Sequence, residues 1–275
     1  MLSFISYNDL SKDVLKLIPF CLDNDISAIY ACPRSGLLPA TMLATELHLP
    51  CGVAGESLHM GTRLKIYPRI GKGPALLIDD SVNKGTSINR ASSKLNDIPH
   101  LKACVYINPK NRKKNRVDFA CKTLETPRLF QWNIFNSQFV ANTMFDLDGV
   151  FCIDPPVFDD DGVEYQNYLS NAIPLHQTTW PIGWIVTNRL EIWRDITGKW
   201  LHTHGIKIKH KMYMQPYNTA AERRAKSNTA LYKADIYNST ADALLFVESS
   251  DKQASRIFSS TKKPVLSIEK MKLYK

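Results

Sequence analysis

The chain has 275 residues, 44% of them apolar, with 35 Lys+Arg against 26 Asp+Glu for a formal charge of +9. That is too apolar for disorder and too long for one typical domain, so two compact units of roughly 140 residues each are expected. No run approaches the roughly 18 uninterrupted apolar residues of a spanning helix. Asn8, Asp9, Lys12 and Asp13 stand where a signal peptide would be apolar, so a cytoplasmic protein is expected, with no membrane partner.

Cys21, Cys32, Cys51, Cys104, Cys121 and Cys152 include no CxxC pair and no histidine at zinc-finger spacing. They read as buried thiols in a reducing compartment. With 18 basic and 11 acidic residues, positions 1–140 hold +7 of the +9. The first half therefore favours an anionic partner, and nucleic acid or a polyphosphate substrate satisfies the charge equally well.

In chain order, strand-length apolar runs alternate with helical patterns. They are a strand at 26–31, a helix at 37–47, strands at 51–54 and 75–79, a helix at 86–95 and a strand at 101–107. The second half repeats the grammar: strands at 143–145 and 183–187, a helix at 191–202, a strand at 211–215, a helix at 219–232, a strand at 243–248, a helix at 251–259 and a strand at 264–267. Strands separated by helix-length segments predict two doubly wound, mostly parallel α/β sheets. Gln, Asn and Ser accumulate at 131–142, which puts the boundary between domains 1–137 and 138–275.

Leu76 to Ser87 reads LLIDDSVNKGTS: an apolar strand runs into Asp79 and Asp80, then into a polar turn with Gly85 and the hydroxyls of Thr86 and Ser87 at a helix start. A turn opening a helix beyond a strand's carboxyl end points backbone N–H groups and the positive helix end at an anion. Two carboxylates beside it suit the vicinal hydroxyls of a sugar, so a pentose phosphate satisfies both halves; an Asp pair that merely caps the turn is the competing reading.

This segment resembles the phosphoribosyl pyrophosphate motif of type I phosphoribosyltransferases. The resemblance implies that Asp79 and Asp80 hold the ribose hydroxyls and that Asn83, Lys84, Gly85, Thr86 and Ser87 hold the 5-phosphate, Lys84 and Ser87 standing where threonines are usual. Upstream, CPRSGLLPA looks like the family's pyrophosphate loop, with Arg34, Ser35 and Gly36 facing the leaving group. Gly61, Thr62, Arg63 and Lys65 lie where the family has its mobile loop, and Arg63 is its candidate catalytic cation. Displacing pyrophosphate builds charge on sugar and leaving group, which fixed cations, backbone dipoles and Mg2+ stabilise. The basic run Lys110 to Arg116 reads as a solvated turn.

In the second half a strand ends in DLDGV. Asp146 and Asp148, two apart, face the same way, and Gly149 lets the chain turn. Such a pair can divide the work of nucleophile and general acid/base, or share a divalent metal. Thr187 ends a later strand and Glu248 another. The ordered set resembles the haloacid dehalogenase (HAD) superfamily of phosphohydrolases, with a Rossmann-like fold and, at this spacing, little or no cap. The resemblance implies Asp146 as nucleophile, Asp148 as acid/base, Thr187 as phosphate donor, Lys233 in preference to Lys226 as the third-motif lysine, and Asp146, Asp148 and Glu248 as Mg2+ ligands.

Together the two halves look like a bacterial and phage family that joins both domains in one chain. The expected function is bifunctional: transfer of 5-phosphoribose from phosphoribosyl pyrophosphate to a small-molecule acceptor, and hydrolysis of a phosphomonoester, the 5-phosphate of that product being one candidate. The alternative is a non-catalytic regulator, a sensor of phosphoribosyl pyrophosphate or nucleotide or a nucleic-acid-binding protein, that keeps the pocket without turnover. A homo-oligomer is expected by analogy.

Overall fold

The computed structural model describes residues 2–56, 72–95, 97–111, 117–156 and 161–275. The chain divides into a compact unit of Ser3–Trp132 and a second of Asn133–Lys275, the division falling inside the Gln- and Asn-rich segment. Both are α/β with mostly parallel sheets.

In the first unit β2 (Ile29–Ala31), β3 (Cys51–Val53), β4 (Ala75–Val82), β5 (His100–Ile107) and β6 (Phe119–Thr123) form one parallel sheet in the order β3-β2-β4-β5-β6. β4 is buried along nearly its whole length because both faces are covered. Leu76 and Ile78 point to a cluster with Leu10 and Val14 of α1 (Tyr7–Val14) and Leu43 of α3 (Leu37–Leu47). Leu77 points the other way, to Ile88 and Ala91 of α4 (Thr86–Ser92). Between β2 and β4 the strand order reverses, and the crevice at such a switch point is where ligands bind in open sheets. Beside this sheet β1 (Ser3–Ile5) pairs in parallel with β7 (Arg128–Phe130), a two-stranded element that the sequence pattern did not announce.

In the second unit β8 (Thr143–Phe145), β9 (Ile182–Leu190), β10 (Ile208–Gln215), β11 (Leu245–Glu248), β12 (Val265–Ser267) and β13 (Lys272–Tyr274) run in the order β10-β9-β8-β11-β12-β13. β13 alone pairs antiparallel among the described strands. The order reverses at β8, so the carboxyl ends of β8 and β11 open on the crevice. Crossovers carry α5 (Val163–Asn171), α6 (Arg194–Thr203), α7 (Ala220–Lys226), α8 (Thr229–Ser239) and α9 (Asp251–Thr261).

The single helix expected at 219–232 is two. Ser227 is extended, and Asn228 caps a new helix by accepting the Leu231 N–H. The extended Ser227 ends one helix and the Asn228 cap starts the next, which puts Lys226 and Lys233 on different elements. No helix among the described residues is long and apolar enough to cross a membrane.

Candidate functional site

The first unit's site forms where β4 ends. Asp79 and Asp80 are both buried, and the Asp80 N–H donates to Asp79 Oδ1 at 2.9 Å. Burial, and after it the neighbouring Asp80, pushes the Asp79 carboxyl up to about 8. Asp80 Oδ2 accepts the Trp132 indole N–H at 2.7 Å. That ring stacks on Phe130 with centroids 5.0 Å apart and meets Tyr7 at 5.7 Å.

The turn after β4 is held from outside. Asn108 donates to Asn83 Oδ1 at 3.0 Å, and Arg128 Nη2 donates to the Val82 carbonyl at 3.2 Å. Gly85 has φ +78°, a conformation that favours glycine, and it opens α4. Asp79 and the turn Asn83, Lys84, Gly85, Thr86 and Ser87 line one cavity of about 280 Å3.

Gly36 of the upstream loop is buried; a Cβ there would sit 2.4 Å from the Cys32 carbonyl oxygen and 2.8 Å from that of Ile78, so only glycine lets this loop close on β4. Cys32, Pro33, Ser87, Arg90 and Lys94 border a second cavity of about 230 Å3. The two loops therefore meet across Ser87, which lines both cavities. Arg34 is exposed and Ser35 half-buried, and neither lines these cavities. Burial lifts the Cys32 thiol to about 12, so it stays neutral at pH 7. Arg63, with Gly61, Thr62 and Lys65, lies outside the described residues, as do residues 112–116 of the basic run.

In the second unit Asp146 follows β8 directly. Its Oδ1 accepts the Leu147 N–H at 2.9 Å, and its Oδ2 takes Lys233 Nζ at 2.8 Å and the Ser249 hydroxyl at 3.2 Å. Lys233 is buried in α8 and reaches Glu248 Oε2 at 2.8 Å as well. Lys226, at the end of α7, pairs instead with Glu222 at the surface. Burial and then Glu248 push the Asp146 carboxyl up, against Lys233. Burial would lower the Lys233 ammonium, but Asp146 and Glu248 outweigh it and hold it up.

Asp148 takes a different partner. The buried Arg189 donates to it through Nη2 at 2.6 Å and Nε at 3.0 Å, and Tyr168 adds a hydroxyl at 2.9 Å. Burial would raise Asp148, yet Arg189 holds it below the usual carboxylate range. Gly149 has φ +72°, and a Cβ there would meet Ser249 Cβ at 2.5 Å and Asp154 Oδ2 at 2.9 Å. Asp146, Asp148, Asp154, Asn188, Arg189 and Lys233 line a cavity of about 300 Å3, together with Arg223 and Arg224. Thr187 is fully buried, accepts the Arg189 N–H at 3.2 Å and does not line this cavity; its neighbour Asn188 does.

The Mg2+ ligand set expected from Asp146, Asp148 and Glu248 is not assembled. Among the described residues no three His, Cys, Asp or Glu side chains gather into a metal-holding group. The reason lies in the donors: Lys233 bridges Asp146 and Glu248, Ser249 and Ser250 donate to Glu248 Oε1, and Arg189 takes both oxygens of Asp148. A cation entering here has to displace bonds already made.

The sequence reading missed Arg189, Asn188 and Trp132. Arg189 and Asn188 carried a signal, a polar pair inside the apolar run of β9. Trp132 carried none, since its role depends on a contact with Asp80, 52 positions away in the chain.

Compared with known proteins, no family model matches the chain, and no curated protein matches it. Among solved structures it is similar to a purine phosphoribosyltransferase from Pyrococcus horikoshii Ot3, at 18% identity and TM-score 0.39 over 50% of this chain and 97% of that one. It is also similar to the Helicobacter pylori xanthine-guanine-hypoxanthine phosphoribosyltransferase, at 17% identity and TM-score 0.39 over 49% of this chain and 95% of that one. The orotate phosphoribosyltransferase of Aeropyrum pernix follows at 19% identity and TM-score 0.33, over 42% of this chain and 71% of that one. At these scores the likeness decides nothing about function, which rests on the side chains.

Proposed function

We propose that the first unit transfers phosphoribose from phosphoribosyl pyrophosphate to a planar, ring-shaped acceptor. The observation that carries this reading is the shared cavity: the Asp79 carboxyl and the Asn83–Ser87 anion turn stand a few residues apart at the switch point of one sheet. The two carboxyl groups accept from the sugar hydroxyls, and the turn's N–H groups and hydroxyls donate to the 5-phosphate. As pyrophosphate leaves, the cationic side chains Arg90 and Lys94 on the wall of the adjoining cavity stabilise its charge, and Mg2+ travels with the pyrophosphate as part of the substrate. Trp132, fixed by its N–H to Asp80, offers the acceptor a ring face beside the sugar. Calorimetry with phosphoribosyl pyrophosphate and Mg2+ tests the reading: binding must be present in the parent and lost in Asp79→Asn/Asp80→Asn, and equal binding by both proteins refutes it.

A second activity, hydrolysis of a phosphomonoester by the other unit, is favoured by one specific observation. Lys233 bridges Asp146 and Glu248 at 2.8 Å each, holding the Asp146 carboxyl on the wall of a cavity sized for a sugar phosphate. Asp146 attacks phosphorus in this reading and breaks the bond to the alcohol, which leaves with a proton from solvent; water oriented by Asp148, itself clamped by Arg189, then attacks the same phosphorus, releasing inorganic phosphate and returning the Asp146 carboxylate. Phosphate release from p-nitrophenyl phosphate must vanish in Asp146→Asn. Persistent release would assign the activity elsewhere.

A further inference from the structure

We propose that the side-chain amide of Asn188 is a phosphate-binding donor of the second unit's site, aimed by a buried clamp of Gln215, Thr229 and Ser227. The proposal rests on the phosphomonoesterase reading of that site and names a residue the reading did not contain.

The hydrogen-bond directions run through one chain of donors. The Ser227 hydroxyl donates to Gln215 Oε1 at 3.1 Å, and Gln215 Nε2 donates to Asn188 Oδ1 at 3.1 Å. The Thr229 hydroxyl donates to the same Oδ1 at 3.0 Å. Gln215 is fully buried, and turning its amide would set Oε1 against Asn188 Oδ1 and lose the bond between them. With Oδ1 accepting twice, the Asn188 NH2 group faces away from the clamp. Asn188 lines the cavity that also holds Asp146 and Lys233.

The charge arrangement gives that donor a purpose. Of the four cations on the wall, the two nearest the aspartate pair are committed to carboxylates, Lys233 to Asp146 and Glu248 and Arg189 to Asp148, while Arg223 and Arg224 complete the lining beside Asn188. A phosphate approaching Asp146 needs donors that do not tie up the attacking carboxylate, and a fixed neutral amide supplies them without reorganising. Thr187, the residue expected in this role, is buried behind the wall with its oxygen accepting from the Arg189 N–H. The clamp has a consequence for the fold as well. Asn188 belongs to β9, Gln215 to β10 and Thr229 to α8, so three elements of the second unit fix one amide.

The test titrates the full chain with inorganic phosphate by calorimetry and follows p-nitrophenyl phosphate hydrolysis in parallel. Asn188→Asp keeps the acceptor that Gln215 and Thr229 need but replaces the NH2 group with an oxygen. It should raise the phosphate Kd about tenfold or more, as loss of a hydrogen bond to a charged group does, with an unchanged unfolding midpoint. Asn188→Ala should weaken phosphate binding to a similar degree, and Thr229→Val, which loosens the clamp and keeps the amide, should have an intermediate effect. If the parent binds phosphate and both Asn188 variants stay within about twofold of it, the assignment is overturned and the phosphomonoesterase reading stands. If the parent neither binds phosphate nor hydrolyses p-nitrophenyl phosphate, the underlying reading falls and this assignment with it.

Discussion

Replacing Arg189 with Met removes a guanidinium that is 1% exposed and holds Asp148 by bonds of 2.6 and 3.0 Å. At about 4 Å between charge centres and an effective dielectric near 20, the pair's Coulomb attraction is about 4 kcal/mol. Desolvation of both ions offsets much of that, so the cost of the substitution comes mainly from the carboxylate left unpaired, about 3–5 kcal/mol. Asp148 is 17% exposed and keeps the donors Tyr168 and Cys152, which argues for the lower end of that range, about 3 kcal/mol. In a unit of this size that lowers the unfolding midpoint by roughly 6–12 °C. Asp148→Asn added to Arg189→Met removes the orphaned charge, so the double variant should be more stable than the sum of the two single losses by about 2 kcal/mol. Urea denaturation followed by tryptophan emission is the assay: Trp180, Trp184, Trp193 and Trp200 belong to the unit that carries the pair and Trp132 alone to the other. A cost below about 1 kcal/mol for Arg189→Met, or strict additivity in the cycle, would refute a buried ion pair that positions Asp148.

Three further outcomes are expected. Asp79 is lifted to about 8 from its ordinary 3.8, so the folded first unit holds a proton that the unfolded chain releases; its stability contribution is full below about pH 4 and lost as pH rises toward about 8, and Asp79→Asn should flatten that slope in unfolding midpoints measured across this window. Parallel slopes for parent and variant would contradict it. Trp132→Phe keeps the stacked ring and loses only the bond to Asp80, so steady-state kinetics should show the acceptor KM within about threefold of the parent, against about tenfold or more for Trp132→Ala; equal effects would remove the ring from the acceptor site. Mg2+ should leave unfolding of the parent's second unit nearly unmoved and stabilise that of Lys233→Met, where Asp146 and Glu248 lose their shared cation; a larger Mg2+ shift in the parent would mean that the lysine does not block the ligand set.

How much of this was legible in the sequence follows from the range over which each feature is decided. The α/β architecture is written locally, in apolar runs such as Leu76–Ile78 and in the helical stretch Leu37–Leu47, whose bounds in the structure match the expected ones. The Asp79–Asp80 pair with the turn that follows β4, and the Asp146–Asp148 pair, are equally local, because the carboxyl end of a strand places nearby residues at one crevice whatever the rest of the chain does. Charge partners are decided at long range. Nothing near Asp148 in the chain says that Arg189, 41 positions later, will take both its oxygens, and nothing near Asp80 announces Trp132. Reading carboxylates alone as a metal set therefore overlooked the cations that the fold delivers to them. Both sites turn on those long-range partners: Trp132 holds Asp80 from 52 positions away in the chain, and Lys233 and Arg189 reach Asp146 and Asp148 from other elements of the second unit.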